Sequence, residues 1–258
     1  ESLKQGGAIV FVRTIVPLLI FILLFHLAYP KILPNLMDGY LGGTRSDPGL
    51  YVWLSRFNIA SVLTWNSVGF DGAHFYPFGQ SLAFSDNFIL PALVAKPIYL
   101  LTGNHSFAYN LVWFSAALLN GYLTFLLFVY CFKDRPSAIF AGFAFMCCPY
   151  LVWHYSHPQL QFVFFFPAVL LATLNFWNKR TLLSATIIGA LVVGAFLSSV
   201  YYALYCYLLV LVTLMGLLLV EPKFISTRAF FKLSMANIPW VIILFLFSRP
   251  YVEVRDTF

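Results

Sequence analysis

The sequence predicts an all-α polytopic membrane protein, with about seven transmembrane helices and two juxtamembrane helices in a long first external loop. Hydrophobic residues make up 61% of its 258 residues and charged residues only 9%, whereas an ordinary globular domain is about 25% charged. Aromatic residues reach 19%, which is typical of lipid-facing surfaces with interfacial anchors. Composition therefore excludes a soluble fold, a disordered chain and a small disulfide scaffold.

The apolar runs give the number of spans. A helix needs about 20 mainly apolar residues to cross a bilayer, because no water satisfies its backbone there. We predict one transmembrane module, 1–258, with a first span at 8–29, an external loop at 30–106 and six further spans within 107–248. We also expect this module to be part of a longer chain. The six later segments are 107–132, 137–153, 160–177, 182–199, 201–220 and 229–247.

An eighth apolar segment, 88–101, is shorter, carries Lys96 and contains two prolines. Short cytoplasmic loops are enriched in Lys and Arg. If 88–101 does not cross, the later basic loops fall on the side of Lys4 and Arg13. We therefore expect it to lie in the interface or to dip partway into the membrane, with the N-terminus cytoplasmic. The basic residues grouped in this way are Lys133, Arg135, Lys179, Arg180, Lys223, Arg228 and Lys232.

The external loop is predicted to hold two juxtamembrane helices. Apolar residues recur at three- and four-residue spacing after Pro48, which is typical of an amphipathic helix on a membrane surface. Pro48 suits the first turn, and Asp47 or Ser46 suits the N-cap. A second short helix is expected to begin at Asn87, with Ser85 or Asp86 as its cap. A turn-rich stretch, 69–79, separates the two helices.

Carboxylates concentrate in this loop, which holds four of the nine acidic residues. A short connection carries two histidines and a glutamine, and two arginines stand where the seventh span ends. This combination is typical of a site that handles an anionic, polar substrate next to lipid. The candidates are Asp38, Asp47, Asp71 and Asp86 in the loop, His154, His157 and Gln159 in the connection, and Arg249, Glu253, Arg255 and Asp256 near the last span.

Each candidate also has a structural interpretation. Asp47 precedes a proline, so it suits a helix cap as well as a catalytic base. Asp86 suits a cap better than a catalyst, and Asp38 and Asp71 precede glycines, as in ordinary turns. For His157, the Pro-Gln that follows indicates a constrained turn, which leaves a site role and a merely solvated side chain equally open.

Other function classes lack their sequence signals. Basic residues are scattered singly, so a nucleic-acid partner is not indicated. The four cysteines all fall inside apolar segments, which favours neither a disulfide framework nor a metal knuckle. Walker, Rossmann, zinc and Ser-His-Asp patterns are missing from the sequence. Gly189 and Gly194 offer a small-residue face for close helix approach.

Four short motifs, taken in order, resemble the transmembrane module of the GT-C superfamily, membrane-embedded glycosyltransferases that use polyprenyl-phosphate or polyprenyl-diphosphate sugars. Residues 43–53 (GTRSDPGLYVW) resemble its first-loop acidic segment, and 75–82 (FYPFGQSL) resemble its Tyr-Pro-x-Gly entry to the second juxtamembrane helix. Residues 104–111 resemble the start of the next span, and 157–160 (HPQL) resemble a His-x-Gln motif at the outer end of a span.

The resemblance implies transfer of a sugar from a polyprenyl-phosphate-linked donor to an acceptor hydroxyl at the outer membrane face. The first-loop acid falls on Asp47, with Asp38 as the other candidate. In the family this acid acts as general base or, in some branches, helps to hold a divalent cation, here Mg or Mn. A bacterial inner (plasma) membrane is implied. The residues expected to bind substrate are His157, Gln159, Arg249, Arg255, Arg56 and Tyr76.

Two other functions stay open at this stage. A non-catalytic membrane subunit could keep the same module as a scaffold within a larger complex, with protein partners. A secondary transporter would instead place ionisable residues at mid-bilayer and break its helices in paired positions. The mid-span positions here are overwhelmingly apolar, so transport ranks last.

Overall fold

The computed structural model describes residues 14–45, 47–61, 70–71, 79–221 and 227–255. All regular structure within these ranges is helical. The α-helices are α1 Val16–Ala28, α2 Asp47–Ser61, α3 Ile89–Thr102, α4 His105–Phe132, α5 Arg135–Met146, α6 Pro149–Trp153, α7 Phe165–Lys179, α8 Leu182–Phe196, α9 Val200–Val220 and α10 Thr227–Arg255. Short 3₁₀ turns cover Leu33–Asn35, Ser81–Phe84 and Pro158–Gln161.

Within the described residues, five helical stretches are long and apolar enough to cross a membrane. The five are His105–Phe132, Arg135–Trp153, Pro158–Lys179, Val200–Val220 and Arg228–Arg255. Helices α1, α3 and α8 are apolar but shorter. The all-helical class is confirmed, and these helices are compatible with an integral membrane protein. The count of seven spans stays a prediction.

Several predicted spans differ from the observed helices at their ends. The segment 137–153 divides into α5 and α6 because Pro149 cannot continue the preceding helix. The segment 160–177 begins as the 3₁₀ turn Pro158–Gln161, and only then does α7 start. Helix α10 extends past 247 to Arg255, through Pro250. Of the first predicted span, 8–29, residues 8–13 lie outside the described residues.

Helices α1, α4 and α5 form one packed unit around Phe21, whose side chain is fully buried. Gly121 and Gly142 let these helices come close. A Cβ added at Gly142 would lie 2.5 Å from the Gly121 carbonyl oxygen and 2.6 Å from the Phe21 ring. Small residues at helix crossings are a common packing device in membranes, where apolar burial alone does not hold helices together.

The second packed unit joins α2, α3 and α4 to α7, α8 and α9, and α10 lies against α8. A Cβ added at Gly189 would lie 2.5 Å from the Trp240 ring of α10. A Cβ added at Gly194 would lie 3.0 Å from the Phe165 ring. The predicted close approach at these two glycines is confirmed.

Basic residues gather at one end of the helical bundle, here named the Lys133 end. Tyr130 of α4 donates to the Leu174 carbonyl of α7 at 3.3 Å, and Lys232 of α10 donates to the Arg180 carbonyl at 3.0 Å. These contacts join the ends of α4 and α7 to the start of α10. The described basic residues at this end are Lys133, Arg135, Lys179, Arg180, Arg228 and Lys232.

Helix α3, the segment with two prolines, lies against the first half of α4 at the end of the bundle opposite Lys133. Its first turn bonds to the end of α8, where Leu90 donates to the Leu197 carbonyl at 2.7 Å. Ala95 faces Tyr109 and Val112 of α4, and Gly103 then turns the chain directly into α4. The position of α3 relative to a membrane stays a prediction.

The expected cap of the second juxtamembrane helix is wrong in detail. The helix begins at Ile89, two residues after the predicted start, and the Ile89 amide donates to the Asn87 side-chain oxygen at 3.2 Å. The carboxylate of Asp86 instead accepts from the Val200 amide at 3.1 Å, at the start of α9. A carboxylate can cap any helix N-terminus that it can reach, and here the nearer one in space belongs to another helix.

Candidate functional site

Asp47 and His157 form a carboxylate–imidazole pair at the end of the bundle opposite Lys133, here named the Asp47 end. The His157 Nε2 atom lies 3.3 Å from Asp47 Oδ2. The Asp47 side chain is 72% exposed and that of His157 is 31% exposed. The other ring nitrogen, Nδ1, lies 3.1 Å from the Ser156 hydroxyl. An exposed carboxylate oriented by an imidazole can accept a proton from a hydroxyl that approaches from outside.

Gly42 brings the loop that carries Asp47 against the turn that carries His157. Its φ is +86°, a conformation that side chains other than glycine rarely adopt. An added Cβ would lie 2.9 Å from the Ser156 Cα and 3.2 Å from the Tyr155 carbonyl oxygen. Only glycine therefore fits between the loop and the histidine turn.

Asn110 of α4 holds the loop that contains Gly42 in place by hydrogen bonds to its backbone. Its side chain is fully buried, and its Nδ2 donates to the Leu36 carbonyl at 2.8 Å and to the Gly39 carbonyl at 3.1 Å. Its Oδ1 accepts from the Leu41 amide at 2.9 Å. Sequence reasoning noted Asn110 only as part of a resemblance. An amide inside an apolar helix was the available signal, because buried polar groups need partners.

Tyr51 and Gln159 support the pair from the interior. Gln159 is 4% exposed and Tyr51 is 7% exposed. The Gln159 amide donates to the Tyr51 hydroxyl at 2.5 Å, and the Tyr51 ring lies edge-on to His157 at 6.4 Å between centroids. Burial, together with the nearby charge of Asp86, raises the pKa of Tyr51, so its hydroxyl stays protonated. Gln159 thus contacts a residue next to the pair and lies below the exposed surface.

Residues 85–90 form a polar junction that sequence reasoning treated only as a cap. Asn87 is fully buried. Its Nδ2 donates to the Phe196 carbonyl at 2.8 Å, and its own carbonyl accepts from Asn58 of α2 at 2.7 Å. Tyr251 of α10 donates to the Ser85 carbonyl at 3.2 Å. One short segment therefore ties α2, α8, α9 and α10 together beside Tyr51.

The remaining predicted site residues that the structure describes have contacts of their own. Asp38 is exposed in the turn after Leu33–Asn35, and its backbone amide donates to the Asn35 carbonyl. Arg249 pairs with Glu253 at 3.2 Å, and Arg255 is exposed at the end of α10. Arg56 donates to the Tyr40 hydroxyl at 2.6 Å. Tyr76 lies outside the described residues.

Among the described residues, Arg56 lines a cavity whose lining includes neither Asp47 nor His157. Asp47 and His157 meet, whereas Arg249 is paired within its own helix and Arg56 contacts a tyrosine of the loop. For the divalent cation, no group of three His, Cys, Asp or Glu side chains suited to hold a metal occurs among the described residues.

No family model, curated protein or solved structure is significantly similar to this chain. The resemblance to the GT-C superfamily therefore stays a prediction from short motifs. Two of those motifs, 43–53 and 157–160, supply the two members of the Asp47–His157 pair.

Proposed function

We propose that this protein is a membrane-embedded glycosyltransferase that moves a sugar from a polyprenyl-phosphate-linked donor to an acceptor hydroxyl at the outer membrane face. The contact between Asp47 and His157 carries the proposal. These residues are 110 positions apart in sequence, and they are the acid and the histidine of two motifs that resemble the family. Separation of the basic Lys133 end from this pair is consistent with a cytoplasmic Lys133 end and an outer Asp47 end.

The chemistry assigned to the pair is general base catalysis. The acceptor hydroxyl donates its proton to the Asp47 carboxylate while its oxygen attacks the anomeric carbon of the sugar. The bond from that carbon to the phosphate oxygen breaks, and its electron pair leaves with the polyprenyl phosphate. His157 orients the carboxylate and remains hydrogen-bonded to it. One carboxylate suffices for such an inverting displacement, since no covalent sugar intermediate is formed.

The departing phosphate needs a positive partner, because negative charge grows on it as the bond breaks. Arg249 and Arg255 on α10 are the cations proposed for this role. Both side chains are exposed, so a lipid-linked phosphate could reach them from the bilayer surface. Hydrogen bonds between arginine and phosphate are among the stronger polar contacts in proteins.

The decisive experiment measures sugar transfer in membranes that are supplied with a lipid-linked donor. Asp47→Asn and Asp47→Ser both keep a residue that caps a helix well, but neither keeps a carboxylate. We expect each variant to lose transfer by roughly 10²- to 10⁴-fold, the usual contribution of a general base, while its thermal stability stays near that of the parent.

Glu221→Gln is the matched control, because Glu221 is an exposed carboxylate that ends α9 on the side of the bundle away from Asp47. It should leave transfer unchanged. Full transfer by both Asp47 variants would remove this residue from the reaction and would contradict the proposal.

One observation favours a scaffold as the second candidate. The most apolar stretch of α10 has no residue buried within the protein, and only 17% of that of α9 is buried. Such surfaces can accept protein partners as well as lipid. A parent protein that co-purifies with a stable partner and transfers no sugar from any lipid-linked donor would favour the scaffold.

A further inference from the structure

A cavity of about 870 Å³ opens where α3 turns into α4. Arg56 of α2 and Lys96 of α3 both line it. Among the described residues, neither cation forms an ion pair, and no carboxylate lines this cavity. Two positive charges that no described carboxylate compensates therefore share one open space.

Tyr40 and His105 also line the cavity. Arg56 can only donate, so the Tyr40 oxygen accepts from it at 2.6 Å. The Tyr40 proton is then directed to His105 Nδ1, 3.0 Å away. A neutral His105 that accepts there carries its own proton on Nε2, which has no partner among the described residues. This Nε2 atom is buried, so the charged donors at the open cavity are those of Arg56 and Lys96.

The cavity lies beside apolar surface. Ile59, Ala60 and Leu100 also line it. Leu100 is 68% exposed and the adjacent Leu101 is 88% exposed. A phosphate between the two cations would therefore have room for an attached hydrocarbon chain along α3, and this arrangement of basic pocket and apolar flank suits an anionic lipid.

This cavity is separate from the Asp47–His157 pair. Arg56 follows Asp47 by nine residues of α2, which is two and a half helical turns and about 14 Å along the axis. The two side chains therefore leave α2 on opposite faces. A phosphate held by Arg56 and Lys96 would be too distant to react at Asp47.

We infer that Arg56 and Lys96 bind the phosphate headgroup of a membrane lipid at a site distinct from the transfer centre. The bidentate guanidinium of Arg56 and the ammonium of Lys96 contact the phosphate oxygens, and the lipid chain follows the exposed leucines of α3. The site does not depend on the transfer reaction, so it is tested by binding alone.

Native mass spectrometry of the purified protein with added dioleoyl phosphatidic acid measures this binding. We expect saturable binding that Arg56→Gln and Lys96→Gln each weaken roughly tenfold, the usual effect of losing one hydrogen bond to a charged group. Lys31→Gln is the matched control. Lys31 is an exposed cation in the predicted external loop, 30–106, which also contains Arg56 and Lys96, but it does not line the cavity. Dioleoyl phosphatidylcholine has the same acyl chains but no net negative charge, and it should bind far more weakly.

Three results would overturn the inference. Equal weakening by Lys31→Gln would mean general surface attraction, and equal binding of phosphatidylcholine would mean that the phosphate charge is not recognised. Inorganic phosphate that binds as tightly as phosphatidic acid would show that the lipid chain contributes nothing. If Arg56→Gln does not fold, Lys96→Gln decides alone, because Lys96 is only half-buried and makes no described hydrogen bond.

Discussion

At the scale of single residues, Asp86 is a buried carboxylic acid, and burial destabilises its charged form. Its residue surface is 8% exposed. Burial raises the pKa of its carboxyl above the ordinary value of 3.8, while the hydrogen bond from the Val200 amide acts in the opposite direction. The positive end of α9 also favours its negative charge. Removal from water is the largest of these effects.

This raised pKa predicts how stability changes with pH. The folded protein holds the Asp86 proton more tightly than the unfolded chain, so this residue stabilises the fold fully below pH 3.8 and loses that contribution as pH rises through the raised pKa. Asp86→Asn keeps an oxygen that can accept from Val200 but cannot ionise. We therefore expect the melting temperature of Asp86→Asn, minus that of the parent, to increase as pH rises through this window.

Thermal unfolding in detergent between pH 4 and pH 8 measures the difference. Asp38→Asn is the control, since Asp38 is an exposed carboxylic acid, and its difference from the parent should stay level. A difference for Asp86→Asn that is independent of pH would contradict the assigned cause.

At the scale of elements, the loop before α2 and the turn before α7 approach each other through backbone. Gly42 and Gly43 have similar φ angles, +86° and +88°. Only Gly42 lies against another segment, because a Cβ at Gly43 would meet nothing within 4 Å. Alanine substitutions at these two positions therefore distinguish the destabilisation caused by the left-handed backbone from that caused by the contact.

Gly42→Ala should therefore destabilise the protein more than Gly43→Ala. Each substitution destabilises the folded protein by about 1 kcal/mol through the left-handed conformation. Gly42→Ala must also displace the Tyr155–Ser156 backbone. We expect a lower melting temperature and a wider Asp47–His157 separation for Gly42→Ala. The separation can be followed by the rate of disulfide formation between cysteines at 47 and 157, with the native cysteines replaced. Equal rates in the two alanine variants would mean that Gly42 does not set this contact.

At the scale of the whole molecule, the two ends of the bundle differ in chemistry. Lys133, Arg180 and Lys232 lie at one end, whereas the other end carries the carboxylate–imidazole pair as well as cations such as Arg56 and Lys96. Helix α3 connects a turn beside Leu197 to a turn beside His105, and both turns are far from Tyr130. The proposed topology therefore places α3 and the pair on one side of the membrane.

Cysteine labelling in intact cells tests this topology. In a background without the other cysteines, Tyr155→Cys and Thr102→Cys should react with a membrane-impermeant maleimide from outside. Native Cys131, next to Lys133, should react only after permeabilisation. All three residues are exposed, so access by the reagent depends on side rather than on burial. Labelling of Thr102→Cys and Cys131 from the same side would mean that α4 does not cross the membrane, and it would contradict this topology.

Sequence patterns identified most helices but not their ends or their tertiary partners. The spacing after Pro48 predicted α2, which begins at Asp47, because amphipathic periodicity is local information. The partner of Asp86 was missed, since Val200 is 114 residues away and a cap looks the same in sequence whichever helix it serves. The cavity lined by Arg56 and Lys96 was missed for the same reason.

The sequence by itself determined an apolar, all-helical chain with its cations in particular loops, because hydropathy and helix periodicity are written in neighbouring residues. Only the tertiary structure decided that Asp47 meets His157, that Asn110 and Gly42 hold the two segments together, and that Arg56 and Lys96 line one cavity. Those contacts join residues far apart in sequence, and packing selects them through shape and hydrogen-bond satisfaction that no local pattern records.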